Sequence, residues 1–150
     1  MSLQPVADLY DGPAFSRTDV PATAAGAGHL RHEFGEWLSD NFAISDEHMY
    51  AIILASYEAL ANAAEHAYAG EDEPGTMTIE ASHAPSSDHL AVTISDRGQW
   101  RPPAGNRFRG RGLPLIRALC DRPTFLKEAS GTTLTLEWVR VRAHSISSAE

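Results

Sequence analysis

The stretch Glu58-Ala-Leu-Ala-Asn62-Ala-Ala-Glu65-His66-Ala-Tyr68 decides how the rest of the chain is read. It lies in an Ala-rich, proline-free run from about Asp46 to Ala69, closed by Gly70, and its spacing predicts one long helix. At about 100° per residue, Glu58, Asn62, Glu65 and His66 gather on one side. Ile53, Leu54, Tyr57, Leu60, Ala61, Ala64 and Tyr68 gather on another. The apolar side is the one expected to lie on a sheet. The polar side needs a further reason, because Asn is a poor helix former and a solvated face usually carries Lys, Arg and Glu. An amide oxygen one turn after a carboxylate can act as a hard ligand for Mg²⁺ beside a base. The alternative is that Asn62 and His66 are part-exposed polar positions with no task.

Upstream, Ser45-Asp46-Glu47-His48 starts this helix, with Ser45 as the cap and His48 where a capping-box Glu would stand. Before it, Leu30, Phe34, Trp37 and Leu38 have helical spacing, which predicts a helix from Ala22 to Asn41 whose start is blurred by Gly26 and Gly28. His29 and His32 lie three apart there, with no Cys or third His nearby, and read as ordinary surface histidines. Ala14 to Val20 alternates weakly, as an edge strand stopped by Pro21.

Downstream, Glu71-Asp72-Glu73-Pro74-Gly75 is a turn. Thr76–Ser82 and His89–Ser95 alternate and form an antiparallel pair. Residues 97–111 are rich in Gly, Pro and Arg and have no period, which predicts a long loop of the kind that covers a site. Helical spacing resumes from Gly112 to Cys120, followed by strands over Thr124–Lys127 and Thr132–Val141. The order strand, helix, helix, strand, strand, loop, helix, strand, strand is α+β, with helices on one face of a mostly antiparallel sheet. One domain is expected over residues 14–142, between tails at 1–13 and 143–150.

Charge narrows the partners. Twelve Lys and Arg against twenty Asp and Glu leave a net charge of −8, which argues against nucleic acid or an anionic membrane as partner. Yet Arg97, Arg101, Arg107, Arg109, Arg111 and Arg117 fall in a stretch without a single acid. A positive field within a negative molecule suits a small polyanion, and a merely solvated Arg-rich loop is the plainer alternative. The lone Cys120 excludes an internal disulfide and suits a reducing, cytoplasmic setting. No secretory signal pattern and no membrane-length apolar run is present in the sequence.

A second constellation lies around the loop. Ser95-Asp96-Arg97-Gly98 ends a strand, and a carboxylate there can accept from an adenine amino group while Gly98 allows backbone to approach a ligand. Gly110-Arg111-Gly112-Leu113 opens a helix and offers free amides and the positive dipole end to phosphate. It is not a Rossmann fingerprint, and no Walker sequence or Gly-x-Ser-x-Gly occurs.

The ordered set Glu58-x-x-x-Asn62-x-x-x-His66-Ala-Tyr68, Asp96-x-Gly98, Gly110-x-Gly112-Leu113 and Gly131-Thr132-Thr133 resembles the GHKL (histidine-kinase-like, Bergerat-fold) ATPases. Within them it is most similar to the small bacterial anti-sigma factor serine/threonine kinases, over roughly residues 14–141. The resemblance implies a two-layer Bergerat sandwich, ATP and Mg²⁺ as cofactors, and an ATP lid over residues 97–111. It implies Glu58 as catalytic base and Asn62 as the Mg²⁺ ligand, with His66 shaping the phosphate end. Asp96 would meet the adenine amino group, with Gly98 beside the ring and Thr132 near it. Gly110, Gly112 and Leu113 would cradle phosphate, and Arg109 or Arg111 would touch its terminal group. The lid departs from the family pattern in carrying Trp100, Pro102 and Pro103. The implied partners are a sigma factor, an anti-anti-sigma antagonist that receives the phosphate, and a second copy of the chain. A non-catalytic module that binds a partner in a nucleotide-dependent way is the alternative.

Overall fold

A computed structural model of the chain describes residues 9–98 and 112–145. It comprises β1 (Ala14–Pro21), α1 (Ala24–Asn41), α2 (Asp46–Asn62) with a π-helical continuation (Ala63–Ala67), β2 (Thr76–Ala84), β3 (His89–Asp96), α3 (Gly112–Leu119), β4 (Arg122–Glu128) and β5 (Gly131–Trp138). The element order is the one the periodicities predict. The five strands form one antiparallel sheet in the order β1-β2-β3-β5-β4. The three helices cover one of its faces: α2 lies over β3 and β5, between α1 and α3.

Strand alternation builds the core face. Met77, Ile79 and Ala81 of β2, Leu90, Val92 and Ile94 of β3, and Leu134, Leu136 and Trp138 of β5 are all buried under the helices. The opposite face carries Thr78, Thr93, Thr133 and Thr135, with Thr93 and Thr135 hydroxyls 3.5 Å apart across β3 and β5. β1 is an edge strand, as its weak alternation suggests, and a bulge between Arg17 and Val20 puts Asp19 at φ 55°. Asp is among the few side chains that accept that conformation readily. The Asp19 N–H donates to Thr78 Oγ1 at 3.1 Å.

Both long helices start at side-chain caps. Thr23 Oγ1 accepts the Gly26 N–H at 3.0 Å, and Ser45 Oγ accepts the His48 N–H at 3.0 Å. α1 begins two residues later than the spacing predicts, and Gly26 has a packing reason to be in its first turn. A Cβ there would collide with the Pro21 carbonyl oxygen. Ala27, Leu30, Phe34 and Leu38 form its buried stripe, and Trp37 joins an aromatic cluster with Phe15, Phe34 and Phe42. His29 and His32 lie on its exposed side, each one turn before a glutamate: Glu33 at 3.3 Å and Glu36 at 3.4 Å.

The second helix corrects the sequence reading in two ways. Its fully buried stripe is Ile52, Ala55, Ser56, Ala59, Leu60, Ala63 and Ala67, so of the residues predicted to face the sheet only Leu60 belongs to it. The predicted set flanks the stripe. Ile53 packs at α1, its Cδ1 beside Gly35, and Tyr57 lies under the Arg31 guanidinium, 5.1 Å from the ring centroid. A central helix has three neighbours, so its bulkiest apolar chains go sideways to other helices, and alanines let the backbone approach the strands. The second difference is the hydrogen-bond register. The α-helix ends at Asn62 and the next turn is wound as a π-helix. That rephases every residue from Ala63 on relative to a continuous α-helix, and single π turns recur at functional sites.

The C-terminal segment is anchored at its start, where Ala143 pairs with Phe42 and the His144 N–H donates to the Asn41 carbonyl at 2.9 Å. Among the described residues no helix is long and apolar enough to cross a membrane.

Candidate functional site

The core-face rows of β3 and β5 are apolar until their last position. β3 runs Leu90, Val92, Ile94 and then Asp96, and β5, read back from Trp138 through Leu136 and Leu134, ends at Thr132. Asp96 and Thr132 stand directly opposite each other in the ladder, so their side chains share the face beneath the helices. Asp96 is 8% exposed and Thr132 2% exposed. A polar pair in a core row at the sheet's end is costly unless something binds it.

The two are satisfied to different degrees. Asp96 Oδ1 accepts the Gly98 N–H at 3.0 Å, an Asp-x-Gly turn that fixes the direction of the carboxylate. Among the described residues Thr132 Oγ1 has no hydrogen-bond partner, although it is fully enclosed. An orphaned hydroxyl of this kind in a native fold calls for a ligand or a water. A carboxylate acceptor beside a free hydroxyl matches a planar heterocycle that offers both donor and acceptor atoms, and adenine is one. These residues therefore fit the purine that the sequence reading assigns to them.

Two glycines bring backbone close at this corner. Gly131 has φ 143°, and a Cβ on it would collide with the Asp96 carbonyl oxygen. Gly98 faces the Ala67 carbonyl oxygen, again with no space for a Cβ. The sequence expects Gly98 to let backbone approach a ligand, and in the structure its close neighbour is the end of the π turn.

That π turn joins the corner to the other half of the site. Glu58 and Asn62 are both half-buried and lie four residues apart in the last α-helical turn. The helix spacing thus puts a carboxylate and an amide on one side, and Asn62 is the last residue before the π winding begins. Glu65, predicted to share their side, is exposed, and its Oε1 lies 3.3 Å from Nε2 of the half-buried His66. Gly112 and Leu113 open α3, the helix beside α2. Arg109, Gly110 and Arg111, with Trp100, Pro102, Pro103 and most of the loop read as a lid, lie outside the described residues. No group of three or more His, Cys, Asp or Glu side chains that could hold a metal occurs among the described residues, so a cation here would depend on Asn62 and on ligand oxygens.

Sequence reasoning missed two contributors. The helical spacing puts Tyr68 on the apolar side and finds no partner for its hydroxyl; in the structure that hydroxyl donates to the Thr76 carbonyl at 2.6 Å and accepts the Arg97 N–H at 3.1 Å. Gly131 stands in the Gly131-Thr132-Thr133 triplet, where no neighbouring residue announces a positive φ. For Asp96 a further signal was present, a carboxylate in phase with three apolar core residues of its own strand.

Comparison with known proteins gives the family and the fold. The family model for the histidine kinase-like ATPase domain matches residues 20–138. Among solved structures, the RsbU and RsbW domains of Rv1364c from Mycobacterium tuberculosis superpose with a TM-score of 0.66 at 28% identity. That match covers 87% of this chain and 32% of the other, so the chain spans about a third of the length of the protein it matches. The histidine kinase domain of a blue-light activated histidine kinase from Erythrobacter litoralis shares the fold, with a TM-score of 0.54 at 18% identity over 79% of this chain and 60% of the other. The buried Asp96–Thr132 corner thus ends a sheet of known lineage, and the chain belongs to the histidine kinase-like ATPase domain family.

Proposed function

We propose that this domain is a Mg²⁺- and ATP-dependent protein serine/threonine kinase that acts as an anti-sigma factor. It phosphorylates a small anti-anti-sigma antagonist, binds a sigma factor in its other state, and works as a homodimer. The observation that carries the nucleotide part is the buried Asp96 carboxylate opposite the orphaned Thr132 hydroxyl. Membership of the histidine kinase-like ATPase family supports ATP as the nucleotide. The likeness to a chain with RsbU and RsbW domains supports the partner-switching role.

Asp96 accepts from the purine amino group, and Thr132 pairs with a ring nitrogen. Asn62 offers its amide oxygen to the metal, and His66 lies toward the phosphate end. Gly112 and Leu113 present the start of α3 to phosphate oxygens. When bound, Mg-ATP supplies the transferable phosphoryl group and the counter-charge for it. Glu58 orients the antagonist's hydroxyl and takes its proton. The charge added to the antagonist then changes which partner it binds.

Incubation of the purified protein with γ-labelled Mg-ATP and anti-anti-sigma proteins of its own organism should yield phosphoserine or phosphothreonine. Glu58→Gln should lower that transfer by at least about a hundredfold, the scale of general-base catalysis, and leave ATP affinity unchanged. Loss of ATP binding in Glu58→Gln would move this residue into the binding site. Absence of transfer from the wild type, with partner binding still responsive to ATP, would mean that the domain is a non-catalytic nucleotide-gated module.

A further inference from the structure

The corner Asp96-Arg97-Gly98 is held from outside its own strand. The Tyr68 hydroxyl accepts the Arg97 N–H at 3.1 Å and donates to the Thr76 carbonyl of β2 at 2.6 Å, so both of its hydrogen bonds go to backbone. One residue earlier, the Ala67 carbonyl oxygen lies against Gly98. The turn before β2 is shaped around the tyrosine: a Cβ on Gly75 would collide with its ring. A weaker arm reaches β1, where Asp19 Oδ1 lies 3.6 Å from Arg97 Nη2 and accepts from Thr76 Oγ1 at 3.3 Å. Both ends of that ion pair are exposed, so the pair contributes little.

These contacts meet where the Asp96 carboxylate is aimed. Its Oδ1 is bonded to the Gly98 N–H, so its direction follows the backbone of residues 96–98. Tyr68 fixes the middle amide of that corner, and Ala67 backs the last residue. Both belong to the end of the helical segment that begins with Asp46 and carries Glu58 and Asn62. We propose that Tyr68 is a positioning residue for purine selection. It sets the Asp96 carboxylate at the angle that accepts from a 6-amino purine, and the phosphate-facing residues do not depend on its hydroxyl. This rests on the assignment of ATP to the site.

The test is calorimetric titration of wild type, Tyr68→Phe and Gly75→Ala with Mg-ATP, Mg-GTP and magnesium tripolyphosphate, with melting curves of each protein alone. Tyr68→Phe keeps the ring and removes only the bonds, and Gly75→Ala displaces the ring and its hydroxyl end. Both should weaken ATP by about five- to tenfold, the value of one net hydrogen bond, and leave GTP and tripolyphosphate within about twofold, so that the ATP-to-GTP preference falls. A folded Tyr68→Phe that keeps the wild-type preference overturns the inference, and so does an equal loss for all three ligands. A wild type that binds no Mg-ATP, or does not prefer it to GTP, overturns the ATP assignment itself and the inference with it. Tyr68→Phe decides the question if Gly75→Ala does not fold.

Discussion

Thr132 shows what a single atom can reveal about a site. Its hydroxyl is enclosed, lies in line with Leu134 and Leu136, and bonds to nothing among the described residues. Leaving such a group unpaired costs about 1–3 kcal/mol, whereas an apolar group of the same shape costs nothing of the kind. Valine is that group. Thr132→Val should therefore stabilise the nucleotide-free protein by about 1 kcal/mol and raise its Tm by roughly 2–4 °C. The same change should shrink the Tm increase produced by saturating Mg-ATP. Such a trade of stability against binding is expected where an unpaired buried polar group is kept for function. Thermal scans of both proteins with and without nucleotide measure the two effects together. A lower Tm for the nucleotide-free variant would show that the hydroxyl is satisfied in the resting protein, and an undiminished Tm increase with Mg-ATP would remove it from the site.

Among the elements, α2 was the easiest to predict and the hardest to orient. Its existence is written in an Ala-rich run with a Ser cap, and the cap is where the sequence puts it, Ser45 Oγ to the His48 N–H at 3.0 Å. Its phase was not legible. Hydrophobic weighting picks Ile53, Leu54 and Tyr57 as the inner face, but the inner face is mostly alanine because the helix lies close on the strands between two other helices. The π turn was not legible either, since no residue type demands it. Asp96 and Thr132 could be placed because strand alternation is strict and a polar residue in the apolar phase stands out. Tyr68 could not, because both of its partners are backbone groups. The cap is a local device and should act locally. Ser45→Ala should cost about 1 kcal/mol, seen as a lower urea midpoint at unchanged slope. ATP affinity should be unaltered, because Asn62 lies more than four turns away along the helix. A coupled loss of affinity would mean that the whole helix moves as one body when its first turn frays.

At the scale of the whole molecule, the pairing of β2 with β3 is local and readable, while β5 enters between β3 and β4 only after the chain has passed through α3. Nothing short-range in the sequence specifies that crossing; it follows from covering one apolar sheet face with three helices. The return from α3 is tied down at its end, where Trp138 Nε1 donates to the Leu119 carbonyl at 2.8 Å and the Cys120 N–H to Ile116 at 3.1 Å. Cys120 titrates with this junction. Burial, with the Asp121 carboxylate adding to it, pushes the thiol up to about 11 from 9.0. A raised value in the folded state means that the neutral thiol is favoured by folding. Its contribution is complete below pH 9 and is lost as pH climbs through about 11. The other ionisable groups respond to alkali as well, so the comparison must be with Cys120→Ala, in which they remain and the thiol does not. Urea midpoints of the two proteins should run parallel up to about pH 8 and converge between about pH 9 and pH 11, the wild type falling faster. Parallel curves throughout that interval would mean that the thiol is as accessible in the fold as in the unfolded chain, and that the α3–β4 junction is open to water.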